Sequence, residues 1–490
     1  MALARASRPG ARIGIPLRAA RTARRARLAN PVWRLARKSR GGSSRIPSWR
    51  ERHVDPVVAR ASLILWRLAR TSVAFGSHIP SLRGLARRAD AFTARHPRLC
   101  TGGRRIPSVL VTAENHARRR ALLRAALAHS EVDALLVTDL INIRYLTGFT
   151  GSNAALLVVT TDDETAQPTD PAAASDPNRT RFCTDGRYTT QSAAEVPDLP
   201  RLIARPCAGA LVATAPGGIV GFEARSVTVA DHLDLQSSAA DNPRGVRLKQ
   251  TLDLVEKIRA VKDAGEIDAL ARACAVADQA LAELIEAHGI RPGRTERQVG
   301  LDLDQRMRQL GAEDPSFETI VAAGPNSAIP HHRPTAAILA AGDFVKLDFG
   351  ATVDGYHSDM TRTLVLGEPA DWQREIYELV ASAQAAGRSA CLVGATGGEI
   401  DAAARDLITA AGYGPEFSHG LGHGVGLQIH EAPGLAHQSA SIMVPDMCVT
   451  VEPGVYLPGR GGVRIEDSGV IRVDGYQVLT QTSKELRVLA

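Results

Sequence analysis

The sequence predicts an α+β protein, with a larger C-terminal body of hairpins and capped helices preceded by a smaller α/β unit. Three observations predict it. Two stretches of period two flank a turn between residues 345 and 366. Four helical segments, two of them opened by cap residues, flank that hairpin. From residue 113 to about residue 235, short apolar strands alternate with helical stretches. At 490 residues the chain is too long for one core. The expected division is 1–108, 109–245 and 246–490.

The net charge of +7 is unevenly spread. Residues 1–108 hold 25 Lys and Arg against only Glu51, Asp55 and Asp90, a charge of +22 that leaves −15 for the rest of the chain. The body is therefore acidic, and no nucleic-acid partner is expected. The basic segment, with runs such as R-T-A-R-R-A-R, lacks a sustained helical or strand period. It reads as an organellar transit peptide, as a basic arm for nucleic acid or anionic lipid, or as translation assigned to start too far upstream. The third reading is preferred, because a folded pattern begins abruptly near Thr112-Ala-Glu-Asn-His. Ser62-Leu-Ile-Leu-Trp is too short to span a membrane, and no apolar signal core precedes the arginines, so no membrane partner and a cytoplasmic location are expected. Six cysteines without C-x-x-C spacing read as reduced thiols.

In chain order, Arg118 to Ala128 reads as a helix and Ala134-Leu-Leu-Val as a strand. Asn142-Ile-Arg-Tyr-Leu-Thr-Gly-Phe-Thr-Gly-Ser-Asn leads into a second strand from Ala154 to Thr160. Residues 161–180, rich in Asp, Pro, Ala and Thr, read as a loose hairpin insertion. Phe182-Cys-Thr-Asp-Gly-Arg-Tyr, Ile219-Val-Gly-Phe-Glu and a helix over Val229 to Leu235 continue the alternation, and a linker closes near Arg244. Asp263 with Glu266 makes a capping box for a helix whose apolar face is Ile267, Leu270, Cys274, Ala277, Leu281 and Leu284, ended by Gly289. Thr295 with Gln298 opens another that stops at Gly311. Further helices are expected from Trp372 to Arg388 and from Glu399 to Ala411.

The chemistry sits between and after these helices. Asp348 and Asp359 are expected to face each other across the hairpin turned at Val353-Asp-Gly-Tyr. Two carboxylates in strands that otherwise read as buried need a compensating charge, and a bound metal is the simplest one; solvated hairpin residues are the alternative for that stretch alone. Phe417 to Glu431 then places His419, His423 and His430 among four glycines. Val449-Thr-Val-Glu452-Pro-Gly and Gly462-Val-Arg-Ile-Glu466-Asp each interrupt an apolar strand with a glutamate. The set is Asp348, Asp359, His423, Glu452 and Glu466, four carboxylates and one imidazole. Hard oxygen donors outnumber nitrogen and no thiolate is present, which favours manganese, with cobalt or zinc able to substitute.

The ordered series D-F-G, D-M-T-R-T, G-L-G-H-G-V-G, V-E-P-G and R-I-E-D resembles the dinuclear metallopeptidases of the pita-bread fold, and among them the Xaa-Pro group of aminopeptidase P and prolidase. The resemblance covers roughly residues 113–490. It implies a pita-bread catalytic domain behind a smaller creatinase-like, metal-free α/β domain, two divalent ions, proline-containing peptides as partners, and a homo-oligomer, dimer or tetramer. It implies that Asp359 and Glu466 bridge the two ions, that Asp348 completes one, and that His423 and Glu452 complete the other. Glu452 is then the base, His331, His419 and His430 orient substrate and stabilise the oxyanion, and Arg464 holds carboxylates in place. His332, next to His331 in an extended segment, is expected on the outer face. Many prolidases carry Arg after H-E-x-P where this chain has Gly434, which favours cleavage of the N-terminal Xaa-Pro bond of longer peptides over a dipeptidase. A non-catalytic binding protein of the same fold is the alternative of another class, and the complete ligand set argues against it.

Overall fold

The computed structural model describes residues 112–162 and 176–490. The basic segment 1–108, Cys100 and most of the Asp- and Pro-rich insertion lie outside the described residues. The first element, α1 (Ala113–Leu127), leads into β1 (Ala134–Val137), α2 (Leu140–Thr147), β2 (Ala154–Val159) and β3 (Arg181–Thr184). Then come α3 (Thr189–Glu195), β4 (Arg201–Ile203), α4 (Cys207–Ala213), β5 (Gly218–Glu223), α5 (Val229–Ala240) and β6 (Val246–Thr251).

These strands form one six-stranded sheet in the order β4-β3-β2-β1-β5-β6. Strands β1, β2 and β3 are buried throughout, as strands covered on both faces must be. Alternate side chains divide between two cores. Leu136 and Leu157 pack toward Leu211, Val212 and Leu235. Leu135, Leu156 and Val158 pack toward Leu123, Leu127 and Ile143, and that second core continues to Val425, Leu427 and Val470 far along the chain.

Two expectations change here. Residues 142–147, the start of the stretch expected only to lead into a strand, lie in α2, which Asp139 caps by accepting from the amides of Ile141 and Asn142, and which Gly148 ends at φ 81°. Strand β6, assigned to the following unit by a boundary at 245/246, pairs in parallel with β5 and extends the first sheet to Thr251. Its burial is only partial, as suits an edge strand, so its V-R-L-K-Q-T composition carries little apolar signal.

The short helix α6 (Leu254–Arg259) joins the two halves, followed by α7 (Ala264–Glu286) and α8 (Glu296–Gln309), each opened by the expected capping box. Strands β7 (Asp314–Pro315), β8 (Ile320–Ala323), β9 (Phe344–Phe349), β10 (Ala351–Val353), β11 (Tyr356–His357) and β12 (Met360–Leu366) follow. After α9 (Asp371–Ala390) and α10 (Gly397–Ala410) come β13 (Gly422–Gly424), β14 (Glu431–Leu435), β15 (Cys448–Val451), β16 (Gly454–Leu457), β17 (Gly461–Arg464), β18 (Asp467–Arg472), β19 (Gly475–Val478) and β20 (Val488–Leu489).

Two sheets, β20-β12-β9-β8 and β14-β13-β15-β18-β19, carry the second half. Helices α7 and α8 bury Leu281, Leu284, Leu303 and Met307 against Val345, Leu347 and Leu364. Helices α9 and α10 bury Val380, Ile400 and Ile408 against Val449, Val451 and Ile465. The hairpin between β9 and β12 turns at Asp354-Gly355, both at positive φ, with Val353 paired to Tyr356 as expected. No helix among the described residues is long and apolar enough to cross a membrane. The five described cysteines are buried and unpaired.

Candidate metal centre and active site

Strand β9 is buried along its whole length, so Asp348 enters the interior because its neighbours do. The two aspartates do not face each other in register. Asp348 pairs with Thr361, and Asp359 stands just before Met360, the first paired residue of β12, because β10 and β11 insert a second small hairpin between them. The offset still brings both carboxylates to one end of the sheet. There, Asp359, His423 and Glu466 each offer a ligand atom, all within 4.8 Å of one another. His423 Nε2 lies 3.5 Å from Asp359 Oδ2 and 3.5 Å from Glu452 Oε1. Its Nδ1–H donates to the Gly424 carbonyl at 3.0 Å, which leaves Nε2 with a free lone pair facing the carboxylates.

The backbone makes room for this. A Cβ on Gly422 would stand 2.1 Å from the Thr450 carbonyl oxygen, and one on Gly424 would stand 2.2 Å from that of Ala432. Glycine lets β13 sit that close to both neighbours and deliver His423 between them.

Burial, reinforced by Glu466, Asp348 and Glu452, pushes the Asp359 carboxyl well above its usual range. Glu466 is pushed up in the same way, and burial lifts Glu452 to about 8 against the opposing charge of Arg464. Such crowding calls for cations. Asp348 Oδ1 and Glu466 Oε1, both buried, have no hydrogen-bond partner among the described residues. An oxygen-rich set with one imidazole and two unsatisfied carboxylate oxygens fits divalent metal.

Arg464 ties the surroundings together. It is ion-paired to Asp348, and it donates to Thr361 Oγ1 at 2.9 Å, to the Tyr456 hydroxyl at 2.8 Å and to the Pro330 carbonyl at 3.2 Å. The Tyr456 hydroxyl in turn donates to His419 Nε2 at 2.8 Å, and His419 Nδ1–H donates to the Gly420 carbonyl at 2.8 Å. Burial and Arg464 push the His419 imidazole down to about 4, so it is neutral. His430 stacks edge to face on His423 with ring centroids 4.4 Å apart, and burial with His331 nearby lowers it too. His331 is exposed.

The residue beside it departs from expectation. His332 is not on an outer face. It is buried, with Nε2 2.8 Å from Oε2 of Glu296, the first residue of α8.

Several contributors were not singled out in the sequence. Thr361 donates to Glu466 Oε2 at 2.8 Å. Lys346, fully buried, lies two residues before Asp348 and so on the same face of β9. Glu431, next to His430, accepts from Arg259 at 2.5 Å and Lys262 at 2.6 Å. Burial raises its carboxyl, but the two cations outweigh that and hold it below the usual range. A cation within an apolar strand run was the available signal for Lys346; for Tyr456 and Glu431 there was none beyond neighbourhood to a motif.

The chain matches two family models, one described as creatinase/prolidase N-terminal domain over residues 119–261 and one as metallopeptidase family M24 over residues 268–472. It is 39% identical over 365 residues to the uncharacterized peptidase YqhT of Bacillus subtilis, covering 73% of this chain and 96% of that protein. It is 42% identical over 238 residues to the Xaa-Pro dipeptidase of Pyrococcus furiosus, covering 49% of this chain and 68% of that one. Among solved structures, an Xaa-Pro dipeptidase from Bacillus anthracis superposes with a TM-score of 0.69 at 37% identity, over 76% of this chain and all of that one. An X-Pro aminopeptidase from Thermotoga maritima superposes with a TM-score of 0.65 at 30% identity, over 76% of this chain and 99% of that one. The buried carboxylate and histidine cluster therefore stands in a shared framework, and the chain belongs to metallopeptidase family M24, a pita-bread metallopeptidase carrying a creatinase/prolidase N-terminal domain.

Proposed function

We propose that the protein hydrolyses the N-terminal Xaa-Pro bond of peptides. The observation that carries this is the convergence of Asp359, His423 and Glu466 within 4.8 Å, flanked by the unsatisfied oxygen of Asp348 and by Glu452. Asp348, Asp359, His423, Glu452 and Glu466 would together hold two divalent ions. Two such ions, when bound, would polarise the scissile carbonyl and supply a nucleophilic water at neutral pH. The remaining work falls to this chain's own groups. Glu452 accepts the water's proton and passes it to the leaving nitrogen. His331, His419 and His430 orient the substrate and stabilise the developing negative charge, while Arg464 keeps Asp348 and Tyr456 in place. An Xaa-Pro bond offers no amide hydrogen, so a site built on metal ions and imidazoles loses nothing there.

The choice of longer peptides rests on Gly434. It lies opposite His423 in the β13–β14 pair, and a Cβ there would meet nothing within 4 Å. The strand thus leaves open space where a basic side chain would hold the carboxylate of a dipeptide. Relatives named as Xaa-Pro dipeptidases support the second reading, a prolidase. The reading carries with it manganese as the metal, with cobalt or zinc able to substitute, a homo-oligomer, no nucleic-acid partner, and the cytoplasm as location.

The test is hydrolysis of Xaa-Pro dipeptides and Xaa-Pro-Yaa tripeptides by metal-stripped protein after manganese is returned. Tripeptide cleavage that is lost in Asp359→Ala supports the first reading, and activity confined to dipeptides supports the second. Gly434→Arg is expected to shift the preference toward dipeptides by about tenfold or more, the worth of one charge-assisted contact. Absence of both activities with metal bound would overturn the assignment.

A further inference from the structure

We propose that Lys346 is a positioning residue, whose buried ammonium group holds the backbone of Ile329 and Pro330 and so fixes where His331 stands. The inference rests on the substrate-contacting role given to His331 above.

Lys346 lies between Val345 and Leu347 in a strand without solvent exposure. Its Nζ donates to the Ile329 carbonyl at 2.7 Å and to the Pro330 carbonyl at 3.3 Å. It stands 5.0 Å from the centroid of the Tyr456 ring. Arg464 Nη1 reaches the same Pro330 carbonyl at 3.2 Å. Two cations from separate strands therefore close on the two carbonyls that precede His331. Because the proline ring fixes φ at Pro330, holding those carbonyls sets the direction in which the next side chain leaves the backbone. No hydrogen bond among the described residues is made by the His331 ring itself. Its placement thus depends on the backbone that carries it.

The energetics point the same way. Among the described residues Lys346 forms no ion pair; of the charged side chains that act on it, Arg464 opposes its charge and Asp348 favours it. Two carbonyls and a ring face compensate a buried ammonium only in part. A methionine of similar length would serve the fold better, since replacing buried charge with apolar volume is often neutral or stabilising. A residue that breaks the local rule at such a place marks a functional demand. Here the demand is a rigid approach to the site. Asp348, which favours a cation here, already has its ion pair with Arg464.

The experiment compares the full chain with Lys346→Met, His331→Ala and the double variant, all loaded with manganese, on the Xaa-Pro substrate the protein cleaves. Metal content and thermal melting are measured beside kcat and KM. Lys346→Met is expected to bind the same amount of metal and to melt no lower than the unaltered chain. It is expected to lose about tenfold or more in kcat/KM, as misplacement of a contacting group does. In the His331→Ala background it is expected to cause no further loss beyond about twofold, since both changes remove one interaction. Losses that multiply, a fall in metal content that accounts for the loss, or unchanged kcat/KM would each overturn the proposal. Full activity in His331→Ala alone would show that the role given to His331 has failed, and the proposal with it. If Lys346→Met melts lower, Lys346→Gln, which keeps a donor toward the same carbonyls, must recover at least half of the lost activity. No recovery would count against the proposal.

Discussion

His116 is buried beneath Gly148, so closely that a Cβ on that glycine would stand 2.6 Å from the imidazole Cε1. Burial, with the Arg119 and Arg120 charges beside it, pushes the imidazole down to about 4. The folded chain therefore refuses a proton that the unfolded chain accepts near pH 6.5. Stability from this residue is present above pH 6.5 and is lost as the pH falls toward 4, by about 3 kcal/mol over the window. His116→Gln is expected to remove that part of the acid slope, read from urea denaturation at pH 7 and pH 4.5. At this scale the sequence was most legible where a residue contradicts its surroundings. Asp348, Glu452 and Glu466 stand out because each interrupts an apolar strand. Tyr456 does not, because its task comes from His419 and Arg464. His332 departs from its expected place for a related reason. Alternation gives the side to which it points, but not that Glu296 of α8 is waiting there.

Elements with strong local signals were legible nearly to the residue. The capping boxes at Asp263 and Thr295 mark the starts of α7 and α8, and positive φ at Asp354 and Gly355 makes the expected turn. Helix α2 was missed because it is short and is defined by its ends, Asp139 and Gly148, more than by its face. Strand β13 is shorter still, yet its place is set by what its glycines exclude. With the Thr450 carbonyl 2.1 Å from a Cβ at position 422, Gly422→Ala must displace one strand or the other. Gly422→Ala is expected to weaken metal binding by about tenfold or more, as loss of ligand orientation does, and the check is a metal titration followed by calorimetry. The chain is expected still to fold, because the apolar face of α10 does not include that position.

For the whole molecule, the α+β class and the order of the two halves follow from pattern alone, whereas their junction does not. Beside the apolar core that continues from one half into the other, the junction holds polar groups that no periodicity reveals. Asn142 of α2 donates to Glu223 at 2.7 Å and to Glu256 at 2.7 Å, and accepts from Arg259 at 2.8 Å. Arg259 and Lys262 then converge on Glu431, beside the site. Glu431→Ala would leave two cations buried without their carboxylate, at a cost of about 3–5 kcal/mol measured by denaturant titration. Long separations also define the metal cluster, where Thr361 donates to Glu466 across 105 residues of chain. Asp348 and Asp359 meet within one hairpin, but His423, Glu452 and Glu466 arrive from segments that only distant pairing can bring back. Contacts of such high order form late. A complete binding site is then a certificate that the catalytic half has finished folding, and a metal-sensitive dye added during refolding would time the last step of assembly rather than the first.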